Sequence, residues 1–342
     1  MKQYIHKLSQ RQSLSFDEMK EAAAQLLSDS VKETEIAAFL LALRTKGETA
    51  EEIAALVSVL KENAQTFSVA ENDIIDVCGT GGDGVGSFNI STTTAFVLAG
   101  AGLTVAKHGN RSISSSSGSS DVLEELGIHM GMTMKESEEL LQQTGLTFLF
   151  APTVHSKLKK IMKVRKELRV PTIFNVIGPL TNPLPISYQL MGVYQQEYMP
   201  RIAEVMASND QKRSIIVHGA AGMDEASPLG TNKCLLVENK QIKPFDLHPE
   251  EVGLPLYSLQ DIKGGSPQEN AEILLNVLKG KEGAHLDTVL LNAGLAMFTA
   301  NKVESIAEGV KVARESVTSG SALNKLREIQ KITQNKKQGV TV

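Results

Sequence analysis

The chain has 342 residues, of which 42% are hydrophobic and 22% charged, and its formal net charge is −4. That length supports one large domain or two medium ones, and the slight acidity argues against a general binder of nucleic acid or of membrane surfaces. Two cysteines, Cys78 and Cys234, are too few for a disulfide framework and fit a reducing cytosol. The opening stretch MKQYIHKLSQRQS has no apolar signal core, so a cytoplasmic location is expected.

Residues 1–65 read as helices. Ser15-Phe16-Asp17-Glu18 and Thr49-Ala50-Glu51-Glu52 both have capping-box spacing. Ile36, Phe39, Leu40 and Leu43 fall at i, i+3, i+4, i+7 and predict an amphipathic helix over 35–46, with Gly47 able to stop it. This unit carries no chemistry of its own. Its apolar stripes read first as core and second as a dimer interface.

After residue 70 short apolar runs alternate with helical patterns, the signature of an α/β sheet. Ile74 to Cys78 reads as a buried strand, and a glycine loop follows it: Gly79-Thr80-Gly81-Gly82-Asp83-Gly84-Val85-Gly86. Asn89-Ile90-Ser91-Thr92 then opens a helix, with Asn and Ser as good N-cap residues for its first N–H groups. A second strand, 103–106, leads to Lys107-His108-Gly109-Asn110-Arg111 and a run of serines, with another helix start near Ser119. A helix end facing a glycine loop is an anion site. Two such loops in succession, one with Lys107 and Arg111, point to a polyphosphate ligand, and Lys107 is the physical favourite for a phosphate contact. The match to G-x-G-x-x-G does not make this a dinucleotide fold: the helix opens late, and no acid stands at the ribose position around 103–106. No Walker A sequence is present, and the Ser, Thr, Asn and Gly content of 87–106 rules against a membrane span. Cys78 reads as a small core hydrophobe.

Further on, 135–144 reads as a helix and 146–150 as a strand. The basic helix 157–168 reads as a mostly solvated face that also steers an anionic substrate. Residues 178–183 form a turn-rich connection, 215–219 a buried strand, and 288–299 and 306–317 apolar-striped helices. Asp224-Glu225 is a carboxylate pair in a loop just past a strand end, where open α/β sheets bind ligands. With no Cys or His beside it, the pair suits Mg²⁺ shared with phosphate oxygens. A cation also reconciles these acids, and Asp83, with a phosphate ligand.

GTGGDG, FNIST and KHGNR, followed by the serine run, resemble the anthranilate phosphoribosyltransferase family, over essentially the whole chain. The resemblance implies an α/β fold: a small all-helical N-terminal domain plus a large α/β domain with a central, mostly parallel sheet flanked by helices. The expected boundaries are 1–67, joined by helices from about 165–190, then 70–335, then a frayed tail over 336–342. It implies a homodimer through the helical domain.

It also implies contacts to 5-phosphoribosyl 1-diphosphate from Gly79, Gly82, Asp83, Ser87, Asn89, Ile90, Ser91 and Thr92. These continue through Lys107, His108, Gly109, Asn110, Arg111, Ser112, Ile113, Ser114 and Ser115, and include Ser119. Anthranilate is expected to meet Arg165 through its carboxylate, with Gly79 and Asn110 alongside. His108 lines the same pocket or is a structural histidine. The implied cofactor is Mg²⁺, two ions, held by Ser91, Asp224 and Glu225. The expected reaction is transfer of the phosphoribosyl group to the anthranilate amine with inversion, in tryptophan biosynthesis. An aromatic amine is already nucleophilic, so no general base is assigned.

Where Ser116, Pro171 and Ala221 stand, the family usually has Lys, Arg and Asp, which bears on metal affinity and loop mobility more than on the reaction. Two alternatives are weighed. A pyrimidine nucleoside phosphorylase-like enzyme calls for a K-H-S-T-G-G loop that is not here. A nucleic-acid-binding paralogue without transferase activity calls for an eroded Asp-Glu pair and a basic surface.

Overall fold

The computed structural model describes residues 1–69, 73–110 and 117–337. Two compact units emerge: Met1–Thr66 with Ala151–Pro183, and Phe67–Phe150 with Leu184–Val342. The returning segment of the first unit is thus Ala151–Pro183, where the sequence suggests about 165–190.

In the first unit, helices Lys2–Ser9, Phe16–Leu26, Glu33–Lys46 and Ala50–Glu62 bury Leu8, Met19, Phe39, Leu40 and Leu56 against one another. Both capping boxes form: Ser15 and Thr49 accept from the Glu18 and Glu52 N–H groups at 3.3 and 3.2 Å, and both glutamates return the bond. Gly47 ends its helix with a φ of 89°, open to glycine alone at little cost.

Helix Lys159–Leu168 joins this unit by packing on Glu33–Lys46. Most basic side chains of the run that starts at Lys157 are exposed, as the sequence suggests, and several also bond within the unit. Lys163 donates to Glu33 at 2.8 Å, Lys160 to the Asp29 carbonyl at 3.0 Å, and Lys157 to Asn63 at 2.7 Å. Those cations bond acceptors on the N-terminal helices and their connections, so part of the charge run is explained inside its own unit.

The second unit is built on a sheet of seven strands: β1 Ile74–Gly79, β2 Thr104–Gly109, β3 Leu146–Phe150, β4 Tyr188–Gly192, β5 Arg213–His218, β6 Asn232–Glu238 and β7 Gln241–Leu247. Their spatial order is β3-β2-β1-β4-β5-β6-β7. From β3 to β5 every pairing is parallel, and β6 and β7 add an antiparallel edge. The parallel strands are buried nearly throughout and mostly apolar, because helices cover both faces.

Helix Ile90–Gly100 crosses from β1 to β2 and is buried on nearly every side, packed by helices Ala284–Thr299, Ile306–Thr318 and Ser321–Lys337. That last helix runs on to Lys337, so part of the expected tail is helical; residues 338–342 lie outside the described residues. From β1 the chain moves outward to β2 and β3, whereas from β4 it moves the other way to β5. The order therefore reverses between β1 and β4, and the crevice beyond their carboxyl ends is where such sheets bind ligands.

Candidate active site

Three strands end at this crevice, each on a glycine or directly before one, and each glycine is there for the same loop. Gly79 and Gly192 are paired across β1 and β4. A β-carbon on Gly79 would lie 2.1 Å from Asp224 Oδ2, and one on Gly192 would lie 1.6 Å from the Asp224 carbonyl oxygen. One on Gly219, just past β5, would lie 2.1 Å from the Glu225 carbonyl oxygen. Only glycine at these positions lets the Asp224-Glu225 loop lie directly on the strand ends.

Two asparagines hold that loop from behind. Asn292, 1% exposed within helix Ala284–Thr299, accepts from the Ala226 N–H at 3.0 Å and donates to the Ala226 carbonyl at 2.8 Å. Asn232, at the start of β6, accepts from the Ser227 N–H at 2.6 Å and donates to the Ser227 carbonyl at 3.0 Å. The sequence hides both, because each amide bonds to backbone that no local pattern connects with it.

The glycine loop between β1 and helix Ile90–Gly100 has positive φ at Gly81, Gly82, Gly84 and Gly86, between 69° and 84°. Four left-handed residues so close together turn the N–H groups in unusual directions. One of them, on Gly81, donates to Asp224 Oδ2 at 2.6 Å. Asp83 Oδ1 accepts from the Val85 N–H at 3.0 Å, whereas its buried Oδ2 has no donor. Ser87 bridges to Lys263, and the Gly264 N–H donates to the Gly86 carbonyl at 2.9 Å.

Ser91, in the first turn of the helix, faces the Glu225 carboxylate, and its hydroxyl and N–H favour the ionised form of that acid. Ile90 and Thr92, beside it, are buried. Asn89 is the N-cap residue, yet its side chain makes no bond to the helix it starts. That departs from the capping role expected of it.

The acids press on one another. Burial, then Glu225, then Asp83 push the Asp224 carboxyl well above the usual carboxylate range. Burial also raises Glu225 to about 7, although Lys107 and the facing Ser91 oppose the rise. Uncompensated carboxyls, one with an orphaned buried oxygen, fit a divalent cation. No three His, Cys, Asp or Glu side chains converge on a point among the described residues. Mg²⁺ needs no such cage, since it keeps waters and shares phosphate oxygens.

Lys107 on β2 is buried at 4% exposure, and its ammonium donates to the Val77 carbonyl at 2.8 Å and to Ser91 Oγ at 3.1 Å. Its charge is thus delivered through Ser91 and toward Glu225 rather than projected outward. His108 is buried, and its N–H donates to Asp76 Oδ1 at 3.3 Å. Ser119 donates to the Asn110 carbonyl at 3.0 Å, and its hydroxyl oxygen sits 2.6 Å from where a Gly109 β-carbon would be. Arg111, Ser112, Ile113, Ser114 and Ser115, with Ser116, fall outside the described residues. Cys78 and Cys234 are free and buried, and burial raises both thiols, as befits core residues.

Arg165 belongs to the helical unit. It has no carboxylate partner among the described residues: its guanidinium donates to Asn175 Oδ1 at 3.1 Å and lies 5.4 Å from the centroid of the Phe174 ring. Burial alone lowers its pKa to about 10. A desolvated cation beside an aromatic face can take a flat anion.

Comparison with known proteins follows the two-unit division. Residues 2–64 match the model of the glycosyl transferase family, helical bundle domain, and residues 71–323 match that of the glycosyl transferase family, a/b domain. The anthranilate phosphoribosyltransferase of Exiguobacterium sibiricum is 53% identical over 334 residues, with 98% of each chain covered. That of Oceanobacillus iheyensis is 52% identical over 337 residues, again with 98% of each covered. Among solved structures, anthranilate phosphoribosyltransferase from Thermus thermophilus gives a TM-score of 0.91 at 37% identity, covering 97% of this chain and 99% of that one. The Saccharomyces cerevisiae enzyme in complex with PRPP and Mg gives 0.89 at 30% identity, with 97% of each covered.

Proposed function

The chain belongs to the anthranilate phosphoribosyltransferase family, and from that premise we propose how its residues perform the Mg²⁺-dependent transfer of the phosphoribosyl group of 5-phosphoribosyl 1-diphosphate to anthranilate. The products are N-(5-phosphoribosyl)anthranilate and diphosphate, in tryptophan biosynthesis. The observation that carries the site assignment is the seat of Asp224 and Glu225. Glycines clear the strand ends for them, two asparagines hold the Ala226-Ser227 backbone that follows, and their charge is only partly compensated beside a glycine loop.

In this reading the N–H groups of the loop from Gly79 to Ser87 and of the first turn of helix Ile90–Gly100 take the diphosphate. They are fixed dipoles aimed where charge develops as the C–O bond breaks. Ser91, Asp224 and Glu225 are the residues that would hold Mg²⁺, two ions in this reading, which when bound would supply Lewis-acid neutralisation of diphosphate charge. Lys107 holds Ser91 and moderates Glu225. The second loop, Lys107 to Ser115 with Ser119, completes the grip on the phosphoribosyl group. Cleavage runs ahead of attack, so the ribose carbon passes through an oxocarbenium-like state and inverts. The anthranilate amine is neutral at pH 7 and needs no base. Arg165 takes the anthranilate carboxylate, with Gly79, Asn110 and His108 in the same role of holding the acceptor.

The protein is read as a cytoplasmic homodimer that uses neither nucleic acid nor membrane. No helix among the described residues is long and apolar enough to cross a membrane. Phe16 and Leu41, exposed at 37 and 38% on two helices of the helical unit, support pairing through that unit. A monomer in analytical ultracentrifugation removes that part of the proposal. The reaction itself is tested by anthranilate fluorescence. Decay that requires phosphoribosyl diphosphate and Mg²⁺, and stops on adding EDTA, is expected. A flat trace from folded protein overturns the assignment.

A further inference from the structure

Asn89 holds a position that should cap helix Ile90–Gly100, and it does not. At five other helix starts a Ser or Thr side chain, on Ser15, Thr49, Thr133, Ser266 or Ser305, accepts from the N–H three residues on, with ψ between 156° and 167°. Asn89 is as good a cap residue as any of them. Its ψ is 74°, and its carboxamide is engaged elsewhere. Oδ1 accepts from Asn270 Nδ2 at 3.0 Å, and Nδ2 donates to the Ser117 carbonyl at 3.4 Å.

Asn270 itself is 2% exposed in helix Pro267–Leu278, and its Oδ1 accepts from the Gly265 N–H at 2.8 Å. The segment before it is locked to the phosphate loop. The Phe88 N–H donates to the Ile262 carbonyl at 3.4 Å, and a β-carbon on Gly264 would lie 2.7 Å from the Phe88 Cα. The His285 ring meets that of Phe88 edge-on at 4.8 Å.

We propose that Asn270 is a positioning residue for the diphosphate site: it draws the Asn89 carboxamide off the end of helix Ile90–Gly100, so that the Thr92 N–H, three residues on, stays open to an anion. The Ile90 N–H is already taken by the Phe88 carbonyl at 2.8 Å. Left alone, a cap side chain would occupy the Thr92 donor and bring its oxygen's negative end to the spot a phosphate must fill. The bond from Asn270 removes that self-capping. The inference rests on reading this helix end as part of the diphosphate site.

The test is calorimetric titration of the full-length protein with phosphoribosyl diphosphate and Mg²⁺, without anthranilate. Asn270→Asp keeps the acceptor for Gly265 and loses the donor to Asn89; Asn270→Ser loses the reach altogether. One lost hydrogen bond and a re-closed helix end predict affinity lower by roughly 3- to 10-fold in each. The KM for anthranilate should stay within about twofold, since only one local bond is removed. In an Asn89→Ala background, Asn270→Ser should add nothing further.

Unchanged affinity in a folded Asn270 variant, or an equal further loss in the Asn89→Ala background, overturns the proposal. Should both Asn270 variants fail to fold, Asn89→Ser decides. Its short hydroxyl caps the helix and cannot reach Asn270, so weaker binding at undiminished thermal stability is expected, and unchanged binding overturns the role. A wild-type protein that binds no phosphoribosyl diphosphate sinks the site reading itself, a result distinct from wild-type affinity surviving in the variants.

Discussion

Arg165 is a half-buried cation with no carboxylate partner among the described residues, and that imbalance points to a ligand. Burial without a compensating charge costs stability, and here it brings the guanidinium down to about 10. Arg165→Met, which keeps the stem and removes the charge, should raise the KM for anthranilate roughly 10- to 100-fold, the value of a charge-assisted pair. Thermal stability should hold or rise. Steady-state kinetics and a melting curve check both, and a lower melting temperature with unchanged KM would make Arg165 structural. Its motif, VRKEL, is visible in the sequence only through the family resemblance, because the basic run around it masks which cation is unpaired. The structure sorts them: Lys157, Lys160 and Lys163 have oxygen acceptors in their own unit, whereas Arg165 meets an amide, a thioether and the Phe174 ring. Lys107 is expected from the sequence to contact phosphate directly; its ammonium reaches the Val77 carbonyl and Ser91 Oγ, the serine expected at the metal.

Elements were legible wherever burial imposes a period. The N-terminal capping boxes, β1, β2, β3 and helix Ile90–Gly100 stand within a few residues of their patterns, because one-sided or complete burial writes itself into the sequence. The β6–β7 hairpin did not stand out. Its two-residue turn, Asn239-Lys240, has φ of 50° and 61°, the primed turn usually marked by Asn-Gly, and lysine in the second place hides it. β7 is mostly exposed and carries Pro244, so it lacks both an apolar run and an unbroken ladder. Asn292 was hidden differently. It lies in an apolar helix that reads as core, and its partner is backbone 66 residues away. Asn292→Ala should strand the buried N–H and carbonyl of Ala226, at about 1–3 kcal/mol for each group left unpaired. Because Ala226 follows Glu225 directly, Mg²⁺-dependent activity should fall at least as steeply as stability. Differential scanning calorimetry with a Mg²⁺ titration of the rate separates the two, and a destabilised variant with wild-type Mg²⁺ dependence would show that Asn292 supports the fold alone.

For the molecule as a whole, the acidic site links stability, pH and metal. Without a cation, Asp224 and Glu225 have folded-state pKa values raised above their ordinary ones, Glu225 from 4.5 to about 7. A raised carboxyl costs nothing while protonated. Its contribution is therefore fully present below the unfolded value and is lost as pH climbs through the folded one. Metal-free protein should lose stability between about pH 4.5 and 7 from Glu225, and Asp224 adds loss in the same direction. A divalent cation reverses the sign, because it binds the ionised carboxylates that protons otherwise occupy. Mg²⁺ binding should release protons near pH 6, and the rise in melting temperature it produces should grow from pH 5.5 to pH 8. Melting curves with Mg²⁺ and with EDTA across that range check the linkage, along with proton release measured in buffers of different ionisation enthalpy. Equal Mg²⁺ increments at pH 5.5 and 8 would mean that the ion binds elsewhere, since no carboxyl with a raised pKa would then stand between metal and site. The expected slope instead ties the cation to these two residues, independently of whether anthranilate is ever added.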